Sequence, residues 1–300
     1  MIKLRTISRQ TRRNMIKGYA FISPWLIGYL LFTIYPILAS LYYSFTRYDV
    51  IRKPRWIGLE NYVELITRDE IFRRVMGNTV YFVVLGVPAG LIVAFLLATL
   101  LNNDMKFRPV FRTVFFLPTL VPAAASAEVW RWVFNSNWGV INSWIKAMGY
   151  PVIPFLSSEH LAKPSLILIH CWSQGTAMVI FLAALQDVPQ SLYDAALVDG
   201  ANGWQRFFRI TLPMCTPAIL FVLITQLIGM FQYFAMGWLL TAGGPNFSTE
   251  FFSMYLYRNA FQYFKMGYAS ALAWILFIII VVFTLLTFKS SDRWVYYAGS

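Results

Sequence analysis

Residues Asp187–Pro217 read DVPQSLYDAALVDGANGWQRFFRITLPMCTP, a polar segment that lies between two long apolar runs. Ser191 precedes Asp194 by three residues, which is the capping-box spacing found at the start of a helix. The spacing predicts a short helix that begins at Leu192. Gly200 suits its end, because the residue after a helix often adopts a left-handed backbone that glycine tolerates best.

The same stretch contains a second capping pattern, in which Gln205 follows Asn202 by three residues. It predicts another short helix over Gly203–Ile210, before Pro213 opens the next long helix. The product is a rigid helix–turn–helix of the kind that fits a partner's cleft. A capped connector between two membrane helices is the alternative interpretation.

The composition is that of an integral membrane protein. Of the 300 residues, 58% are hydrophobic and 13% are charged, whereas soluble domains carry about 25% charged residues. Crossing ~30 Å of hydrocarbon takes about 20 apolar residues in a helix. Uncharged runs of sufficient length lie at residues 18–46, 75–103, 164–186, 210–249 and 266–288.

A sixth span is expected from about Arg112 to Phe134, although Glu128 and Arg131 interrupt it. These two residues are three apart, close enough to pair on one helix face. Their place near the external end of the span favours anchoring at the membrane interface over a role in the substrate path. A transmembrane sheet would show alternation with period two, so the chain is predicted to be all-α: a polytopic membrane protein with six transmembrane helices and a cytoplasmic helix–turn–helix.

The spans carry more detailed expectations. The second is expected at Asn78–Leu101 after an external segment Arg47–Gly77, and the third is expected to run from Phe111 through the LPTLVP sequence. The fourth and fifth spans, Pro164–Gln186 and Met214–Leu239, each place polar groups on one helical face, which either bond between helices or line a pathway. These groups are His170, Gln174 and Met178 in the fourth span, and Gln226, Met230 and Tyr233 in the fifth.

The distribution of charge predicts how the chain is oriented. Several of the basic residues behind the net charge of +12 precede the first span, which by the positive-inside rule holds the N-terminus in the cytoplasm. The predicted organisation is a basic cytoplasmic tail at residues 1–18, one membrane domain at 19–288 that includes the 187–217 loop, and a cytoplasmic tail at 289–300. Nucleic acid is not an expected partner, because the helix–turn–helix carries only Arg206 and Arg209 as basic residues.

Part of this pattern resembles a known family. The EAA loop of ABC importer permeases reads E-A-A-x-x-x-G-x9-I-x-L-P, and the matching positions are Asp194, Ala195, Ala196, Gly200, Ile210, Leu212 and Pro213. The spacing is intact, and Asp194 replaces the usual glutamate. The segments Trp56–Tyr62 and Thr241–Pro245 are also similar to sugar-importer permeases of the maltose and glycerol-phosphate type.

The resemblance implies a set of partners. The first helix of the loop would be the coupling helix, which docks on an ATPase subunit through Asp194, Ala195, Ala196, Asp199, Gly200 and Arg206. The assembly would contain a second homologous permease, two ATP-binding subunits that hold ATP and Mg, and an extracellular solute-binding protein. This chain would bind no cofactor, would not itself be an enzyme, and would lie in a bacterial or archaeal plasma membrane with both termini in the cytoplasm.

The cargo predicted from the resemblance is a sugar or oligosaccharide. Aromatic rings stack on sugar faces and amides bond sugar hydroxyls, so the candidate path residues are Trp172, Gln174, Gln226, Gln232, Tyr233 and Glu128. An anionic sugar or glycerol phosphate is an alternative cargo. A gradient-driven transporter is an alternative mechanism, although Glu128 is the one acid within a span that could carry a proton. His160 and His170 are the only histidines, so a metal site is not expected, and no catalytic constellation supports a membrane-embedded enzyme.

Overall fold

The computed structural model describes residues 9–297, and within them the chain is almost entirely helical. The remaining parts of the two predicted tails, residues 1–8 and 298–300, lie outside the described residues. The helices are α1 (Arg9–Tyr29), α2 (Tyr35–Ser44), α3 (Glu60–Thr67), α4 (Glu70–Asn102), α5 (Arg108–Phe116), α6 (Ala123–Val133), α7 (Val140–Ala147), α8 (Ala162–Trp172), α9 (Gly175–Gln186), α10 (Gln190–Val198), α11 (Gly203–Arg206), α12 (Leu212–Met214), α13 (Thr216–Phe231), α14 (Ala235–Thr241), α15 (Phe252–Tyr257) and α16 (Met266–Ser291).

The prediction of an all-α membrane fold is confirmed, with one small addition. Two short strands, β1 (Thr46–Arg47) and β2 (Arg55–Trp56), form an antiparallel ribbon in the segment expected to be external. The second span also begins earlier than predicted, at Glu70. Asp69 caps it by accepting a hydrogen bond from the backbone N–H of Phe72 at 2.8 Å, so the helix starts before the apolar run does.

The candidate membrane spans are of two kinds, continuous helices and bent helix pairs. Within the described residues, three helices are long and apolar enough to cross it: Arg12–Ser44, α4 and α16. The first of these joins α1 and α2 through a π-helical turn, Leu30–Ile34. Three further spans are bent pairs, which gives six spans if each pair crosses once.

The third and fourth spans were predicted to be continuous and are bent, and the fifth is interrupted after Phe231, whereas the bend before the fifth span lies at its predicted start. The pair α5–α6 bends by 103° at Val121–Pro122, α8–α9 bends by 48°, and the helical stretch Gly203–Met214 bends by 63° from α13. Prolines explain the first bend, because Pro118 and Pro122 lack the N–H groups that a continuous helix needs. The fifth span ends at Phe231, and α14 resumes the helix at Ala235.

The described chain forms two compact units, residues 9–64 with 259–274, and residues 65–258 with 275–297. In the first unit Asn61 bridges the end of α2 to the ribbon, because its side-chain amide donates to the carbonyls of Ser44 and Thr46 at 2.8 and 3.0 Å. Trp274 donates its indole N–H to Ser40 at 3.2 Å. These bonds satisfy polar groups that apolar helices would otherwise leave unpaired.

The core of the second unit lies where α4, α9 and the start of α13 meet. Small residues on α4 let α9 approach closely, and aromatic rings fill the remaining space, with Phe95 and Phe181 centred 5.3 Å apart. The fully buried members of this core include Ala94, Ala98, Met178, Phe181 and Cys215. The 187–217 loop is joined to this core at both ends, because Val188 and Cys215 are members of it.

Candidate functional site

The first helix of the 187–217 loop ends as predicted but begins differently. Gly200 has a φ of +74°, and the next residue closes a Schellman turn through an N–H bond from Ala201 to the Ala196 carbonyl at 2.8 Å. The helix starts at Gln190 after Pro189, so Ser191 lies inside the first turn and does not cap it.

The second helix of the loop carries the predicted capping box. The Asn202 side chain accepts from the Gln205 backbone N–H at 2.9 Å, and the Gln205 side chain accepts from the Asn202 N–H at 2.8 Å. The helix does not stop at Ile210. It continues through a π-helical turn, Phe207–Thr211, into α12, so Pro213 lies inside a continuous helical stretch and does not open the next span as predicted. The next span therefore begins at Thr216.

Hydrogen bonding and packing fix the loop to the core of the second unit. The Tyr193 hydroxyl lies 2.8 Å from the hydroxyl of Thr211, which is 8% exposed, so this bond joins the two helices of the loop. Tyr193, Phe207 and Ile210 pack against the core residues of α4 and α9. The loop is consequently a rigid extension of the membrane helices.

Both helices of the loop expose apolar side chains, Leu197 and Val198 in the first and Trp204 and Phe208 in the second. We call this surface the outer apolar patch; its members are Leu197, Val198, Trp204 and Phe208, and Val198 is 88% exposed and Trp204 75% exposed. The rings of Trp204 and Phe208 stack at 5.9 Å. Large apolar groups exposed in a polar loop favour a contact site over a solvated face.

The predicted coupling residues belong to the same two helices and the turn between them. Asp194, Ala195, Asp199 and Gly200 are exposed, whereas Ala196 and Arg206 are half-buried. Asp194 accepts a hydrogen bond from the side chain of Gln190 at 3.2 Å instead of capping the helix. The buried Nε atom of Arg206 has no hydrogen-bond partner.

Within the membrane helices, a polar cluster forms against Gly90 of α4. The Gln226 side chain donates to Gln174 at 2.7 Å, and the Gln174 amide lies 3.0 Å from Nε2 of His170. A Cβ atom on Gly90 would lie 2.8 Å from both Gln226 Oε1 and His170 Nε2, so glycine is needed for this approach. The four-residue spacing of His170 and Gln174 thus brings them together, although the helix bends between them.

Beside this cluster lies a cavity of about 280 Å³, which we call the central cavity. Residues from three helix breaks line it: the α5–α6 break supplies Pro118 and Val121, the α8–α9 break supplies Trp172 and Ser173, and the break after α13 supplies Tyr233. Non-helical backbone within a span is tolerated where it lines a cavity or is buried in protein. The breaks that sequence reasoning missed therefore build this cavity.

Tyr233 is the most distinctive side chain of the central cavity. Its hydroxyl is buried without a hydrogen-bond partner, while its ring packs on Phe82 and Phe251 with centroids 4.5 and 5.5 Å away. A buried hydroxyl without a partner costs free energy unless a ligand or water satisfies it.

The structure separates the remaining path candidates. Trp172 lines the central cavity and Gln174 and Gln226 belong to the adjoining cluster, but Gln232 is exposed and does not line the cavity. Glu128 is exposed too and pairs with Arg131, as its spacing predicted. The cavity-lining hydroxyls of Thr119 and Thr176 were not singled out, because isolated threonines in apolar runs give no sequence signal.

Bent apolar spans, a cavity among their breaks and a rigid loop with an exposed patch define a polytopic membrane transport protein. The chain belongs to the family of binding-protein-dependent transport system inner membrane components, whose model matches residues 86–295. It is therefore a permease subunit of an ABC transporter.

Several relatives match nearly the whole chain. A probable ABC transporter permease of Bacillus subtilis (YesP) is 44% identical over 97% of this chain and 95% of its own length. The trehalose/maltose transport system permease of Thermococcus litoralis is 31% identical over 94% and 96%. The sulfoquinovosyl glycerol transport system permease of Agrobacterium fabrum is 33% identical over 85% and 84%.

A solved structure has the same fold. A chain of a bacterial alginate ABC transporter, crystallised with a periplasmic protein bound to an alginate pentasaccharide, superposes with a TM-score of 0.84 at 25% identity, covering 95% of this chain and 96% of that one.

Proposed function

We propose that this permease forms half of the path by which a sugar or oligosaccharide enters the cell. Two of the relatives described above have names that refer to trehalose or maltose and to sulfoquinovosyl glycerol. The structural neighbour belongs to an alginate ABC transporter. The central cavity supports this proposal, because it combines the rings of Trp172 and Tyr233 with neighbouring hydroxyl and amide groups.

The observation that carries the proposal is the rigid 187–217 loop. The outer apolar patch would be buried in a cleft of an ATP-binding subunit. That subunit, rather than this chain, would bind ATP and Mg. Full burial of one large apolar side chain contributes about 1.5–3 kcal/mol, so burial of the four members of the patch would favour such a contact. Because Tyr193 and Phe207 fix the loop to the core, movement of the ATPase would be transmitted to α4 and α9.

The exposure of the first long helix supports the proposal that a second membrane subunit is present. In the apolar 18-residue window inside the helix Arg12–Ser44, no residue is buried within the described chain. A second homologous permease would pack against this helix. The basic residues Arg9, Arg12, Arg13 and Lys17 at its start support a cytoplasmic N-terminus by the positive-inside rule. The same orientation would turn the opposite ends of the spans toward an extracellular solute-binding protein.

The test is uptake into vesicles that contain the permease, its partner permease, the ATP-binding subunits and the solute-binding protein. We expect uptake of radiolabelled sugar to require ATP on the side of the ATPase subunits and to continue after an uncoupler collapses the proton gradient. Uptake that stops with the uncoupler and ignores ATP would overturn the coupling part of the proposal.

A second arm tests the loop itself. Val198→Asp places a charge in the outer apolar patch at its most exposed position, so it should weaken binding of the ATP-binding subunits without disturbing the fold. Leu192→Asp is the matched control, because Leu192 is an exposed leucine of the same helix outside the patch. Equal copurification of the ATPase subunits with both variants would remove the patch from the interface.

A further inference from the structure

A second and larger cavity lies at the far end of α6 from the Pro122 break. Its volume is about 560 Å³, and we call it the outer cavity. Its lining includes Arg131, Asn135, Asn137, Ser157, Thr241 and Gly244. A volume in this range is typical of small-molecule sites, and the lining is rich in groups that bond sugar hydroxyls.

Charge separates the two cavities. Arg131 is the one formally charged residue among the described residues that line the outer cavity, whereas none lines the central cavity. The Arg131 guanidinium donates to Glu128 and to the carbonyl of Leu239. These bonds use two of its five N–H groups and leave three for a ligand.

Glu128 offsets part of this charge. Its side chain is 69% exposed, against 44% for Arg131, so solvent screens the pair. Lys146 adds a second cation nearby, because its ammonium donates to the carbonyl of the lining residue Asn137 at 3.0 Å. Two cationic groups therefore lie at the polar lining of the cavity, and one of them is paired with a carboxylate.

One wall of the outer cavity is preorganised. The Glu250 side chain is fully buried and accepts two hydrogen bonds from Arg258, at 2.9 and 3.1 Å. Arg258 also donates to the Ala242 carbonyl at 2.7 Å, and Thr249 donates to the Gly244 carbonyl at 2.7 Å. The Thr241–Pro245 segment, which sequence resemblance singled out, is thus held in place before any ligand arrives, and that lowers the entropy cost of binding.

We propose that the outer cavity is a binding site for the carboxylate of an acidic sugar unit, which Arg131 holds at the entrance to the path. Arginine suits this task, since its planar N–H groups bond both oxygens of a carboxylate. The unit would then pass to the uncharged central cavity, which accepts the sugar through its rings and hydroxyls. This inference rests on the proposed function as a sugar permease in the proposed orientation.

Binding by the purified permease complex without its solute-binding protein tests the site directly. The probes are digalacturonate and its neutral counterpart galactobiose, and the readout is the dissociation constant from calorimetry or tryptophan fluorescence. We expect the wild-type complex to bind digalacturonate more tightly. Arg131→Gln should weaken digalacturonate binding by about ten- to a hundredfold and leave galactobiose within about twofold.

Three further variants identify the cause. Arg131→Lys should restore part of the preference, and Glu128→Gln should strengthen digalacturonate binding because it removes a competing carboxylate. Arg47→Gln is the matched control, since Arg47 is also an exposed arginine in an ion pair with a glutamate, at 2.8 Å, but does not line the cavity. It should change neither constant.

Two outcomes overturn the inference. One is equal binding of both probes by the wild-type complex, and the other is an equal loss for both probes in Arg131→Gln, which would assign Arg131 a purely structural role. ATP-driven uptake of sugars by the complete importer distinguishes this failure from failure of the proposed function. Uptake without preference for the acid removes only the outer site, whereas absence of ATP-driven sugar uptake removes both proposals.

Discussion

Gly200 offers a sharp test of the coupling loop, because its environment isolates one physical effect. Its φ of +74° lies in the left-handed region, and a Cβ atom added there would meet no heavy atom within 4 Å. Replacement by alanine therefore introduces no clash. The change acts through the backbone alone, and any loss of function reports the conformation of the turn.

The magnitude follows from the cost of that conformation. A residue with a Cβ atom pays about 1–2 kcal/mol in the left-handed region, which changes the population of the native turn by a factor of about 5–30. Asparagine tolerates this region better than alanine, and the β-branched valine tolerates it least. We therefore expect the number of sugar molecules imported per ATP to be highest in the wild type and to fall in the order Gly200→Asn, Gly200→Ala, Gly200→Val.

The measurement is the number of sugar molecules imported per ATP hydrolysed by the complete importer in vesicles, together with copurification of the ATPase subunits. Gly203→Ala is the matched control, because Gly203 lies in the same loop with open space around it and without a left-handed φ. Coupling in Gly200→Val equal to that of the wild type and the control would refute the reasoning.

Three other substitutions probe the helix contacts and the central cavity. Gly90→Ala should destabilise the purified complex by about 1–3 kcal/mol in thermal unfolding, because its Cβ atom would lie 2.8 Å from the polar cluster, whereas Gly77→Ala in the same helix meets nothing and should leave the unfolding temperature unchanged or raised. Tyr193→Phe removes the bond to Thr211, so it should cost about 1 kcal/mol of stability and lower the number of sugar molecules imported per ATP. Tyr233→Phe removes a buried hydroxyl without a partner, so it should preserve or raise the unfolding temperature while the sugar concentration for half-maximal uptake increases; an unchanged concentration would contradict a role in the path.

Local chemistry made part of this molecule predictable. The capping box of Asn202 and Gln205 and the left-handed Gly200 were both expected from the sequence, and both are present. Each depends on residues within a few positions, so sequence alone contains the necessary information. The spacing of Glu128 and Arg131 predicted their ion pair for the same reason.

The break between α8 and α9 could not be predicted in the same way. A hydropathy run across Trp172–Gly175 looks continuous, yet the chain bends by 48° there. Gly175 indicates why, because a Cβ atom on it would lie 2.8 Å from the Phe115 carbonyl of another helix. Such close approach depends on the tertiary neighbours of α9, which the local sequence does not reveal. The central cavity, built in part from this break, was invisible for the same reason.

The broken spans also bear on how the chain is made. The helices α8 and α9 have 11 and 12 residues, so neither reaches the ~20 that cross a bilayer alone. We expect the translocon to insert α8 and α9 together as one segment. The polar amide groups at the bend between them would be shielded from lipid only after the neighbouring helices have inserted. Folding of this permease in the membrane thus requires several helices together, and the polar bends of the broken spans are stabilised last.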